Sequence, residues 1–125
     1  MEPDPVKKTI TMGKMARYSG AGNIHSDEET ARERGLGGAL AQGGQLVGYL
    51  NEMMLKALGP GFLSGGEISV TFIRPVRPGD EVTARATQKA AASENGRKRV
   101  EFEIWLENQN GEKCVVGTAA GFAPP

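Results

Sequence analysis

The stretch Ala39-Leu40-Ala41-Gln42-Gly43-Gly44-Gln45-Leu46-Val47-Gly48-Tyr49-Leu50-Asn51-Glu52-Met53-Met54-Leu55-Lys56-Ala57-Leu58 decides the fold. Gln42, Gln45, Tyr49, Glu52 and Lys56 recur at intervals of 3, 4, 3 and 4, one stripe of an α-helix, and Leu46, Leu50, Met53 and Ala57 mark another. This spacing predicts one long helix over residues 39–58. Its first turns hold Gly43, Gly44 and Gly48, and each glycine costs about 1 kcal/mol relative to alanine inside a helix. Something must offset that cost: another backbone packed very close, amides near Gly43 and Gly44 facing a ligand, or both.

Toward the C-terminus the period falls to two. Ile68, Val70 and Phe72 alternate with Glu67, Ser69 and Thr71, the pattern of a half-buried strand. The run Pro75-Val76-Arg77-Pro78-Gly79-Asp80 ends it, because proline cannot donate to a ladder. Val82, Ala84 and Ala86 then alternate with polar residues, Val100, Phe102, Ile104 and Leu106 do the same, and a last strand runs from Val115 to Phe122. Asn95-Gly96 and Asn110-Gly111 predict type I′ turns between strands. The C-terminal half therefore reads as an antiparallel meander.

Upstream, a short first strand near Val6 to Met12 is followed by a loop from Tyr18 to His25. A short helix comes next: Ser26 and Glu29 form an S-x-x-E capping box, Glu28 and Arg32 stand at i and i+4, and Gly35 is placed to end it. One central helix wrapped by a curved antiparallel sheet of about five strands satisfies both periods. The expected class is α+β, two layers, with a sheet edge free to pair across a two-fold axis into a continuous dimer sheet.

Length and charge bound the rest. A chain of 125 residues makes one domain, 1–125, with residues 1–5 and 124–125 expected to fray. Fifteen basic residues balance fifteen acidic ones, which argues against nucleic acid or an anionic membrane as partner. Leu, Ile, Val and Phe number only 25, so a homodimer or dimer of dimers is expected to extend the core. The single Cys114 cannot form an internal disulfide, and the start MEPDPVKKTITM has no apolar signal core, so the expected compartment is the cytoplasm. No apolar run approaches the roughly 18 residues of a membrane-spanning helix.

The stock of reactive groups is small. One histidine and one cysteine give no zinc pattern, and the P-loop, nucleophile-elbow and dinucleotide-binding spacings are missing, so no cofactor or metal is expected. Cys114 falls inside a strand, as a small buried hydrophobe would. What is left is Tyr18-Ser19-Gly20-Ala21-Gly22-Asn23-Ile24-His25-Ser26-Asp27. His25 reads either as an inert residue ahead of the helix cap or as an imidazole that the glycine-rich loop positions. Asn23 reads as an Asx-turn or as a second member of that site.

The loop, the capped helix, the run Gly35-Leu36-Gly37-Gly38-Ala39-Leu40-Ala41-Gln42-Gly43 and the later Arg74-Pro75-Val76-Arg77-Pro78-Gly79-Asp80 resemble the MaoC-like hot-dog hydratases and dehydratases. The resemblance runs from about Tyr18 to Ala123. It implies a helix-in-sheet fold, dimerisation through the sheet, and addition or removal of water across the α,β bond of an acyl thioester of coenzyme A or carrier protein. The family loop reads S-G-D-x-N-P-x-H-x-D; Ser19, Gly20, Asn23, His25 and Asp27 match it with one residue deleted. The family's His-Gly at the helix entrance is Gln42-Gly43 here, and Gly43 would be the glycine whose N–H polarises the thioester carbonyl. The family aspartate falls on Ala21 or Gly20, and the motif proline is missing, so the acid/base chemistry must be modified.

The resemblance thus implies His25, Asn23 and Gly43 as catalytic, and Gln42, Gly44, Tyr49 and Arg74 as substrate-binding. Arg74, Arg77, Arg97, Lys98 and Arg99 are the cations available to a coenzyme A or phosphopantetheine arm. Other readings of the same fold are an isomerase, cyclase or conjugate-addition catalyst, a non-catalytic acyl-thioester binder or dimeric partner protein, and a thioesterase using Glu52.

Overall fold

A computed structural model describes all 125 residues. In chain order it contains β1 (Val6–Thr9), α1 (Met12–Ser19), α2 (Glu28–Glu33), α3 (Gly43–Leu58), α4 (Pro60–Leu63), β2 (Glu67–Phe72), β3 (Glu81–Glu94), β4 (Arg97–Glu107) and β5 (Lys113–Phe122). The strands form one antiparallel sheet in the order β1-β3-β4-β5-β2. Only β3-β4-β5 is a meander, because Pro75 to Asp80 carries the chain from one sheet edge back to a position beside β1.

The apolar stripe of α3 fills the concave side. Leu46, Leu50, Met53, Met54 and Leu58 are buried against Val82, Ala84, Val100, Phe102, Ile104, Leu106 and Val115, the inward residues of the alternating strands. Irregular registers at Gln88/Ala90 and Leu106/Glu107 interrupt the ladders, the kind of break that bends and twists a sheet. This is the α+β helix-in-sheet domain expected from the sequence.

Several boundaries differ from expectation, each for a local reason. The first strand stops at Thr9 rather than Met12, and residues 12–19 form α1, capped by Thr11, whose hydroxyl accepts from Lys14 N at 3.1 Å. Helix α2 is capped by Asp27, not Ser26: its two carboxylate oxygens take Glu29 N and the Thr30 hydroxyl, both at 3.0 Å. Helix α3 starts at Gly43, not Ala39, because Ala39 N donates to Glu28, Leu40 N to Ile24 O and Ala41 N to Val76 O. Asn95 and Gly96 both have positive φ, as a type I′ turn requires, but at Asn110-Gly111 only the glycine does. There Asn108 organises a longer turn, accepting Asn110 N and Glu112 N on its side chain at 3.0 Å each. Near the N-terminus Pro3 is buried while its neighbours are exposed, and residues 2–5 border a depression shared with Arg85 to Thr87 and Trp105.

Candidate active site

His25 is held from both sides of its backbone turn. Asn23 accepts His25 N on Oδ1 at 2.8 Å and Ser26 Oγ at 3.2 Å, while its Nδ2 donates to Ser19 O at 2.8 Å. Both lone pairs of the Asn23 carbonyl oxygen and one of its two Nδ2 hydrogens are thus used within the loop, in an Asx-turn that aims the next residues. The ring Nδ1 lies 2.8 Å from Leu40 O. A carbonyl oxygen can only accept, so Nδ1 carries a proton, and in the neutral form of the ring Nε2 is the nitrogen left to act as a base.

Residues 36–41 form the strap that carries Leu40. Arg77 donates to Leu36 O at 2.7 Å and Gly38 O at 3.0 Å, and Glu28 Oε2 accepts Ala39 N at 3.0 Å. Leu40 N donates to Ile24 O at 3.0 Å and Ala41 N to Val76 O at 2.7 Å. At Gly38, φ is 146° and a Cβ would stand 2.7 Å from the Glu28 carboxylate, so only glycine fits there.

The strap ends at the start of α3. Gln42 makes no side-chain cap, and neither Gly43 N nor Gly44 N donates to any protein acceptor. Two unpaired amides at the positive end of a 16-residue helix suit a developing negative oxygen. The nearest atoms to both glycines are side-chain atoms rather than another backbone. A Cβ on Gly43 would meet the Phe72 ring at 2.8 Å, and one on Gly44 would meet the Tyr18 hydroxyl at 2.6 Å.

Two clefts draw on residues 40–43. One of about 290 Å³ is lined by Ser19, Asn23, His25, Thr30, Arg34 and Gln42, among others. The second, about 410 Å³, is lined by Leu40, Ala41, Gly43, Leu46, Phe72 and Arg74, among others. A larger depression of about 660 Å³ near Ser69, Arg99, Glu101 and Thr118 has no imidazole, and the Arg99 guanidinium there is held by Glu67, Glu94 and Glu101.

His25, Asn23 and Gln42 thus line the smaller cleft and Gly43 and Arg74 the second, while Gly44 lines neither. Tyr49 lies elsewhere: it accepts from Gln45 Nε2 at 2.8 Å, has Lys8 5.8 Å above its ring, and lines neither cleft. Glu52 pairs with Lys8 at 3.1 Å and Lys56 at 3.8 Å and is likewise outside both. Of the five cations expected near an anionic arm, Arg77 is committed to the strap, Arg97 stacks 3.8 Å from the Phe122 ring, and Arg99 faces three carboxylates. Arg74 pairs with Glu112 at 3.4 Å, and only the Lys98 side chain has no partner. The Asn108 side chain, helped by Arg74, holds the Glu112 carboxyl below the ordinary carboxylate range. Cys114 is buried, and burial pushes its thiol up. No three His, Cys, Asp or Glu side chains come together as a metal set.

Tyr18, Phe72, Thr30 and Arg34 were not singled out by the sequence. Phe72 carried a signal, since a large apolar residue closes a strand just before a Pro-rich turn. Arg34 carried none.

A long central helix wrapped by a curved five-stranded antiparallel sheet is the hot-dog fold. The model of the MaoC like domain matches residues 1–110, and the chain belongs to that family. Among solved structures, it is similar to the unliganded R-hydratase PhaJ1 from Pseudomonas aeruginosa, with 24% identity and a TM-score of 0.78 over 97% of this chain and 79% of that one. The (R)-hydratase from A. caviae involved in PHA biosynthesis shares 22% identity, with a TM-score of 0.77 over 99% and 97% of the two chains. A chain of the ChsH1–ChsH2 complex from Mycobacterium tuberculosis reaches a TM-score of 0.81 at 14% identity, over 99% and 96%. No curated protein sequence matches the chain.

Proposed function

We propose that this chain adds or removes water across the α,β bond of an acyl thioester. The observation that carries the reading is the His25 Nδ1 to Leu40 O contact of 2.8 Å, which leaves Nε2 available as a base in a cleft bordered by Gln42, whose chain neighbour Gly43 has an unpaired amide. In hydration, His25 Nε2 takes a proton from water as its oxygen bonds to Cβ. Electron density moves onto the thioester oxygen, which accepts from Gly43 N–H. The resulting enolate then collapses as Cα takes a proton from the imidazolium or from solvent. Asn23 keeps the histidine in place and Gln42 and Arg74 border the substrate, while Ala21, exposed to solvent, can move no proton.

The chain is expected to act as a dimer. Strand β2 is a sheet edge with one ladder unpaired, and its last residue Phe72 and the next, Ile73, are 51% and 56% exposed, so a second copy pairing there would cover both. Association would also bring a second chain next to the cleft that Phe72 lines. No helix is long and apolar enough to cross a membrane. The unpaired Cys114 suits a reducing compartment, the cytoplasm.

The test is loss of enoyl absorbance when a short trans-2-enoyl-CoA meets the protein, run beside His25→Ala. Turnover in the parent, reduced by about 10² or more in the variant, is the expected result. Thioester binding without turnover in either protein overturns it. A second reading, a non-catalytic or partner subunit, is favoured by one observation: no carboxylate lines the His25 cleft. One structural relative is itself half of a two-protein complex.

A further inference from the structure

No carboxylate lines the His25 cleft, but an unpaired cation does. Of the fifteen lysines and arginines, twelve have a carboxylate, carbonyl or aromatic partner for the side chain. Arg34, Lys89 and Lys98 have none, and of these only Arg34 lines the cleft of His25. The other polar groups there are mostly committed. Ser19 donates to Met15 O at 2.8 Å, Thr30 donates to Asp27 at 3.0 Å, and Asn23 is largely consumed by its turn. Uncommitted are the Arg34 guanidinium, the Gln42 amide and His25 Nε2. The position of Arg34 is fixed by the helix end, where its own N–H closes the last turn of α2 and Gly35, at φ 76°, turns the chain away.

We propose that Arg34 recognises an anion on the substrate, taking a carboxylate or phosphate oxygen within the His25 cleft. The inference rests on reading this cleft as the substrate site. A guanidinium offers paired donors to a planar carboxylate or to a phosphate, and no acidic side chain in the cleft competes for them. The lining favours the carboxylate of a short acyl group. Ile24 is the one apolar side chain among the eight lining residues, and a long alkyl chain would find almost nothing to bury against in about 290 Å³. A phosphate of the carrier arm is the other source of the same chemistry.

Titration calorimetry with three thioesters that cannot be hydrated tests this: succinyl-CoA, butyryl-CoA, and succinyl-N-acetylcysteamine, which has the carboxylate but no phosphate. Arg34 is exposed, so Arg34→Gln is expected to fold, and circular dichroism checks it. If the acyl carboxylate is the ligand, succinyl-CoA binds the parent about tenfold tighter than butyryl-CoA, and Arg34→Gln weakens both succinyl thioesters about tenfold while leaving butyryl-CoA unchanged. If phosphate is the ligand, both CoA thioesters weaken about tenfold in the variant and the N-acetylcysteamine thioester does not. Unchanged affinity for all three in the variant, or no binding to the parent, overturns the proposal. Failure of the hydration reading looks different: Arg34-dependent binding with no turnover of any enoyl thioester.

Discussion

Replacing Arg77 tests whether the strap, rather than the loop around His25, sets the imidazole. Arg77 makes two charged hydrogen bonds, at 2.7 and 3.0 Å, to carbonyls of Leu36 and Gly38, the second of which is buried. A hydrogen bond to a charged group contributes about 1.5–3 kcal/mol, and half-exposed carbonyls recover part of that from water. Arg77→Ala is therefore expected to cost about 2–4 kcal/mol, a large share of the roughly 5–15 kcal/mol that holds such a domain folded. Arg77→Lys keeps the charge, but one ammonium cannot span both carbonyls, so about 1–2 kcal/mol is expected. Urea unfolding measures both. The specific readout is nitrogen NMR of the His25 ring: the parent should show one tautomer, protonated at Nδ1, and Arg77→Lys a mixture as Leu40 O drifts from its 2.8 Å contact. A His25 ring unchanged in Arg77→Ala, with an unfolding midpoint equal to the parent's, would refute the reasoning and leave Glu28, Ile24 and Val76 as sufficient anchors.

Other expectations follow from single contacts. Gly43→Ala should leave stability within about 1 kcal/mol, since the half-exposed Phe72 ring can swing away and alanine favours the helix, yet turnover should fall because the methyl stands in the cleft; thermal melting beside kinetics separates the two. Gly117→Ala puts a Cβ 2.0 Å from Ser69 O of the neighbouring strand and should lower stability by about 2–3 kcal/mol, read in the same melts. Ile73→Asp should shift sedimentation from dimer toward monomer with the fold intact; an unchanged sedimentation coefficient would mean that this edge is not the contact. Cys114 should resist alkylation until the protein unfolds. Burial raises its folded pKa, so its neutral thiol stabilises the fold fully below the ordinary thiol range, and this contribution is lost as pH rises through and beyond it.

Much of this was written in the sequence. The alternation from Ile68 to Phe72 and from Val100 to Leu106 showed the strands, because each side chain faces either core or water and the period of two survives in the letters. The stripe of α3 was equally plain from Gln45 onward, but its start was not. Ala39 to Gln42 fit the helical period, and their backbone partners, Glu28, Ile24 and Val76, are contributed by other segments. Helix α1 stayed hidden because its buried surface reduces to Met15, with Gly13 and exposed polar residues around it. The position of β2 at the far edge is a matter of crossover, which no local pattern states. At the site, His25 was found as the one imidazole in a glycine-rich loop. Arg34 was invisible because an unpaired arginine is recognised only when the pairing of every other charge is known.

The strap also bears on time as well as space. Two of its anchors, Glu28 and Ile24, precede it by a short stretch of chain, but Arg77 and Val76 lie about forty residues further along, beyond the central helix and β2. Closing loops of that length is slow compared with forming a helix or a hairpin, so the ring of His25 can be set only after the sheet has already brought the crossover home. In a refolding experiment secondary structure should return first and the single His25 tautomer last. A chain nicked or stalled before Val76 could build its long helix and still have no fixed imidazole, which makes the state of one ring nitrogen a late-stage clock for assembly of the whole domain.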